Sequence, residues 1–294
     1  MKTIVDKIKA WGVMQSPHAI RSALMFVPVL AFTGAIIIGI VILLLQLSGF
    51  MPRPNTLSLQ TLSGTIILFG AVIITALAAA HIWAKWLGHQ GLGFIGLDHD
   101  HGKLLKGILW GAGIQVFGFL IFIVSGWLRI TSIDFKSQAV INVLIITVSG
   151  LNAAVFEEVI YRGVLYSAFR RQWGWWMYAV VTSALFAFPH FISNSYDFPI
   201  SAGLGLLVGG LLFAWAREIT GTLWVPIGIH FIWDAAIGWF NLTASRSPHL
   251  LMTNFNAPVW VIGSEWGISD WILLLIFAAS LWAVKFRVKG GPGQ

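Results

Sequence analysis

Cysteine is absent from all 294 residues. That excludes disulfides, thiolate catalysis and cysteine-ligated metal. Charge is scarce as well: Asp, Glu, Lys and Arg make up 10 % of the chain, against roughly 25 % in soluble domains. No Lys/Arg-rich block interleaved with aromatics is present, so nothing points to nucleic acid. The helical H-E-x-x-H pattern of zinc proteases is missing. Solenoid repeats and low-complexity tracts are missing too. What fills the chain is apolar: 57 % of residues are hydrophobic, and the mean hydropathy is +0.83. At this length the chain reads as one helical bundle in a membrane.

Apolar runs of about 20 residues span a bilayer as helices. Such runs fall at 22–46, 63–83, 107–127, 138–156, 173–191, 199–216, 222–241 and 269–285. The expected fold class is therefore an all-α polytopic membrane protein, a bundle of about eight transmembrane helices. The first run is far longer than the apolar core of a signal peptide and reads as an uncleaved span. Segment 157–171 is either a helix at the interface or a continuation of the fourth span. Gly107-x-x-x-Gly111 and Gly205-x-x-x-Gly209 fit close helix packing, and the tail 290–294 reads as disordered.

Loop charges orient the bundle. With the N-terminus inside, the inner segments hold Lys2, Lys7, Lys9, Arg21, Lys85, Lys103, Lys106, Arg170, Arg171, Arg217, Lys285, Arg287 and Lys289. The outer loops hold only Arg53, Arg129, Lys136 and Arg246. Lys/Arg bias sets orientation, so both termini are expected in the cytoplasm. The same rule accounts for the formal charge of +7, and interfacial preference accounts for the 16 Trp.

A few ionisable residues fall outside the loops, at depths where a charge costs on the order of 2.5–3.5 kcal/mol on insertion scales. They form three short patterns. In Glu157-Glu158-Val159-Ile160-Tyr161-Arg162, Glu158 and Arg162 share a helical face and can pair. Glu157 lies about 100° around the helix and faces elsewhere. In Phe186-Ala187-Phe188-Pro189-His190, Pro189 is expected to bend or end the helix. In His230-Phe231-Ile232-Trp233-Asp234, Asp234 can hold the imidazole in one tautomer, and Pro226 is expected to open the backbone nearby. Any one pattern could be structural. If they converge, they offer a carboxylate base, one or two imidazoles and an orienting acid, a complement for activating water and stabilising an oxyanion.

These patterns, in this order, resemble the CPBP family of intramembrane proteases. That family includes the eukaryotic type II CAAX prenyl endopeptidases and bacterial proteins, some linked to bacteriocin immunity. The resemblance covers roughly 105–241, giving a division into 1–104 (N-terminal spans and a cytoplasmic loop), 105–241 (catalytic core) and 242–294 (loop, last span and tail). It implies a glutamate-dependent endopeptidase in an eight-helix bundle. Glu157 and His190 would activate the attacking water. His230 and Asp234 would form or support the oxyanion site. Glu158 and Arg162 would order the first pattern, and Phe186 would pack around the site. Relatives often carry Asn where this chain has Asp234. An Asn amide donates to an oxyanion and an ionised Asp does not, so Asp234 would act protonated or by orienting His230.

The implied partners are a peptide or protein substrate at the membrane, lipidated or not, and the membrane lipids. No cofactor is implied; zinc held by two His and a Glu is the alternative within this class. Two other classes compete. One is a non-catalytic immunity or scaffold protein on the same fold. The other is a proton-coupled transporter, since buried Glu, His and Asp also build proton relays. The implied location is a bacterial inner membrane. Asp98-His99-Asp100-His101 reads as a solvated cytoplasmic loop, although short His-rich tracts can bind metal. His81, His89 and His249 carry no readable signal.

Overall fold

A computed structural model describes residues 17–48, 62–87, 89, 91–193, 200–240, 250–256 and 268–289. Lys2, Lys7, Lys9, Arg53, Arg246, His249 and the tail 290–294 lie outside the described residues.

The elements in chain order are α1 (Pro17–Leu47), α2 (Leu62–Trp86), a 3-10 turn (Leu92–Ile95), α3 (Gly102–Val124), β1 (Leu128–Ile133) and α4 (Ser137–Glu158). A π-turn (Val159–Val164) joins α4 to α5 (Leu165–Ser193). Then come α6 (Ile200–Thr220), α7 (Trp224–Trp239), β2 (Leu251–Phe255) and α8 (Ile268–Lys289). Four described stretches are long and apolar enough to cross a membrane: Leu62–Trp86, Gly102–Val124, Ser137–Arg170 and Ile200–Thr220. Large apolar side chains such as Ile74, Leu109 and Val124 point outward, as lipid-facing helices require. By length and composition these helices fit an integral membrane protein.

Segment 157–171 continues the fourth span. The helix runs unbroken from Ser137 through the π-turn to Arg170. Its true break is Gly174, whose φ of 73° is open to glycine at no steric cost. Pro189 does not end α5, which continues to Ser193. Pro226 is the third residue of α7, where a missing N–H leaves no intrahelical bond unmade. It starts a helix and does not open one.

Glycine sets the central packing. A Cβ at Gly111 would lie 3.0 Å from the Ile229 Cα, and one at Gly228 would lie 2.6 Å from the Leu104 carbonyl oxygen. Thus α3 and α7 meet backbone to backbone. Gly150 lets α4 approach Asp234 and Ala235 in the same way. The short α7 is thereby enclosed, with Val225, Ile227, Ile229, His230, Ile232, Ala235 and Ala236 all buried.

The all-α expectation needs one correction. β1 pairs antiparallel with β2, with an irregularity between Ile130 and Ser132. Leu128-Arg129-Ile130-Thr131-Ser132-Ile133 is rich in β-branched residues, which suit a strand. Its partner lies more than a hundred residues away, so no local hairpin signal exists.

Candidate functional site

Glu157 and Glu158 are the last residues of α4, and Arg162 lies within the π-turn. A π-turn bonds i to i+5 and recurs at functional sites. Residues 159–164 are all buried.

Glu158 and Arg162 are both 0 % exposed, and their ion pair measures 2.9 Å from Nη1 to Oε1. Arg162 also donates from Nη2 to the Gly210 carbonyl at 2.9 Å. Its guanidinium lies 4.8 Å from the Phe186 ring centroid and 5.5 Å from that of Phe213, within cation–π range. With Tyr161 at 5.7 Å as well, the charge is held by one carboxylate, one carbonyl and three aromatic rings.

The same Glu158 oxygen meets His230 Nδ1 at 2.9 Å. A carboxylate only accepts, so Nδ1 carries the proton. The other ring nitrogen, Nε2, lies 3.7 Å from Glu157 Oε2 and 3.6 Å from Asp234 Oδ2. These contacts change two expectations. Glu157 does not face away from its neighbour's site: both carboxylates converge on one imidazole, from opposite edges. And Glu158, not Asp234, makes the hydrogen bond that fixes the His230 tautomer. Asp234 stands one helical turn on, beyond hydrogen-bond distance. Phe213 stacks on His230 with centroids 4.6 Å apart and planes 19° apart, which locks the ring.

His190 Nδ1 lies 3.0 Å from the Phe186 carbonyl oxygen and so donates to it. In the neutral ring Nε2 is then the acceptor. Phe186 stands between the two imidazoles, its centroid 5.4 Å from His190 and 6.0 Å from His230. His190 interacts electrostatically with both Glu157 and Asp234. The three sequence patterns therefore meet on α4, α5 and α7. Glu157 and Asp234 retain side-chain exposures of 21 % and 30 %, so protein does not fully enclose the carboxylates that face Nε2.

One neighbour of the site is invisible in the motifs. Arg217, assigned to a loop by the span ending at 216, is buried inside α6. Its Nε donates to the Arg162 carbonyl at 3.2 Å and its Nη2 to the Ile95 carbonyl at 3.4 Å. Its guanidinium lies over the Tyr166 ring at 4.4 Å. Arg217 therefore supports the π-turn that carries Arg162. Next to it, Arg170 and Tyr166 both donate to Glu218. The signal that places Arg217 inside is Gly221, whose φ of 68° marks the true helix end. Spaced four apart, Gly209, Phe213 and Arg217 share one face of α6.

The Asp98–His101 loop is tied down rather than merely solvated. Lys103 Nζ meets Asp98 Oδ2 at 2.6 Å, and this hydrogen bond holds the Asp98 carboxyl below the usual carboxylate range. Trp224 Nε1 donates to the Asp98 carbonyl at 2.8 Å, and His101 packs edge-on against Trp224. Among the described residues no three His, Asp or Glu side chains are grouped to hold a metal ion.

Residues 139–236 match the family described as "Type II CAAX prenyl endopeptidase Rce1-like". The match covers about a third of the chain, which is similar to this family there, and most of α4 through most of α7 lie within it. No curated protein and no solved structure matches the chain.

Proposed function

We propose that the protein is an intramembrane endopeptidase that hydrolyses a peptide bond through a water activated by Glu157 and His190. The observation that carries this reading is the convergence of Glu157, Glu158 and Asp234 on one locked imidazole, His230. A structural ion pair needs Glu158 and Arg162 only. It leaves Glu157 and Asp234, two carboxylates at depth, without a purpose.

In this mechanism His190 Nε2 accepts a hydrogen bond from the water and orients it, while Glu157 takes the water's other proton as the oxygen attacks the substrate carbonyl carbon. The carbonyl becomes a tetrahedral oxyanion. His230, doubly protonated, donates from Nε2 toward that charge, and Glu158 holds its other edge. Asp234 positions Nε2 from one turn away. The C–N bond then breaks, and the proton held by Glu157 passes to the leaving amine. Preorganised donors of this kind supply a large share of catalysis in acyl transfer. No step calls on a cofactor.

We place the catalytic core at 105–241, in a bacterial inner membrane with both termini cytoplasmic. The Lys/Arg distribution along the chain supports that orientation. The substrate is a membrane-associated peptide or protein.

The test compares membrane-protein termini in cells expressing wild type or Glu157→Gln, each with and without a chelator. New termini that require Glu157 and survive the chelator support the metal-independent protease. Termini lost with the chelator point to the zinc variant. If no terminus depends on Glu157, a non-catalytic immunity or scaffold role takes precedence, and proton-linked uptake in proteoliposomes becomes the next assay.

A further inference from the structure

The first two helices lie outside the matched residues and enclose a groove of about 560 Å³ between them. α1 and α2 pack side by side. A polar contact holds them at one end, where Trp83 Nε1 donates to Ser22 Oγ at 3.2 Å. Phe26, Leu30 and Trp83 form a buried floor. Met25, Val29, Ile82 and Trp86 form an exposed rim. The floor is continuous with the core. Trp83 meets Phe94 with centroids 5.9 Å apart, and the Phe94 carbonyl accepts from Ser167 Oγ at 3.3 Å.

Three features of this groove bear on its use. The first is its length. The α1 wall runs from Arg21 to Leu30, which at 1.5 Å per residue is about 14 Å. That is close to half of a hydrocarbon core of about 30 Å, so the groove is one leaflet deep. The second is its polarity. Arg21 is the one charged group among the described residues that line it, and it stands at the end where Trp83 and Trp86 gather. Trp favours the membrane–water interface, which sets Arg21 at headgroup level and Leu30 among the acyl chains. α1 begins at Pro17, so the positive end of its dipole adds to the Arg21 charge. The third is its volume. An apolar cavity of roughly 150 Å³ holds the six carbons of benzene, and this groove has room for a chain several times as long.

We propose that this groove is a binding site for an anionic glycerophospholipid. The phosphate meets Arg21, and one acyl chain lies along the floor past Phe26 to Leu30. In the orientation proposed above, this end of the bundle faces the cytoplasmic leaflet, whose surface is negative, and basic pockets between helices on that side bind anionic headgroups. A zwitterionic lipid can cover the same apolar floor, but its ammonium brings a second positive charge to the Arg21 end. The bound lipid bridges α1 and α2. Through Trp83 and Phe94 it backs the 3-10 turn whose Ile95 carbonyl Arg217 holds. The site takes no part in the cleavage chemistry, so it stands or falls apart from the protease reading.

The experiment titrates the purified full chain in detergent with dioleoyl phosphatidylglycerol or dioleoyl phosphatidylcholine and counts retained lipids by native mass spectrometry. Wild type should hold one phosphatidylglycerol more tightly than phosphatidylcholine by about fivefold, the worth of one basic side chain near an anionic surface. Arg21→Gln should erase that preference and keep the weaker phosphatidylcholine binding. Ala79 lines the groove, and Ala79→Phe fills it while keeping the charge, so both lipids should bind less. Val29→Trp serves where Ala79→Phe fails to fold. Lys106→Gln, on the exposed side of α3, should change neither lipid. Equal retention of the two lipids by wild type overturns the anionic site. A phosphatidylglycerol preference that survives Arg21→Gln, or that falls with Lys106→Gln instead, puts the headgroup elsewhere and overturns it too. So does a folded groove-filling variant that binds both lipids as wild type does.

Discussion

His230 Nδ1 and Glu158 Oε1 stand 2.9 Å apart, and the same oxygen holds Arg162 Nη1 at 2.9 Å. One carboxylate atom therefore couples the folding of the π-turn to the tautomer of the imidazole. Glu158→Gln should break both functions together. Removing one member of a buried ion pair costs about 3–5 kcal/mol. The expected result is a large fall in melting temperature in detergent along with loss of cleavage. Arg162→Ala should harm folding more than chemistry, since it leaves Glu158 with His230 as its one ionic partner. A melting temperature equal to wild type in either variant would show that the pair is not needed for stability.

Glu157→Gln should separate the two functions. The side chain is 21 % exposed and has no buried partner that it alone satisfies. Cleavage should fall by about 10²–10⁴-fold, the usual worth of a general base, with melting temperature near wild type. His190→Ala and His230→Ala should also remove turnover while the protein still inserts. Normal turnover in a well-folded variant would strike that residue from the mechanism.

Arg217 serves two carbonyls and one ring at once, and a lysine cannot copy that fork. Arg217→Lys should leave the Arg162 or the Ile95 carbonyl unpaired, at about 1–3 kcal/mol. Detergent thermal stability checks the loss. If the π-turn relaxes as a result, kcat should fall more than KM rises.

Gly228→Ala would put a methyl 2.6 Å from the backbone of α3, an overpacking worth about 1–3 kcal/mol. Gly70→Ala, where the space is open, should be neutral or stabilise by about 0.5–1 kcal/mol. Comparing the two variants separates close packing from helix propensity. Equal stability would remove the case for a backbone-to-backbone contact between α3 and α7.

Much of this site was legible because its chemistry is written in short helical spacings. Glu158 and Arg162, Phe186 and His190, and His230 and Asp234 are each four apart, and each pair does share a face. What spacing could not reveal is which pair meets which. The bond between Glu158 and His230 joins residues 72 apart in sequence, and no periodicity encodes it. Arg217 escaped because a charge was read as the end of an apolar run, when Gly221 was the physical stop. The β1–β2 ribbon escaped for the reason long-range strands usually do: neither strand is convincing without the other.

The brevity of α7 has a consequence for supply. Sixteen residues at 1.5 Å each give a rod of about 24 Å, against a hydrocarbon core of about 30 Å. Backbone beyond its ends has to be satisfied by protein or by water entering from the aqueous side. Asp234 lies close to one of those ends. Hydrolysis consumes a water molecule at every turnover, and a dry bilayer offers none. In the proposed protease, a central helix shorter than the hydrocarbon core would give that second reactant a route from the aqueous side.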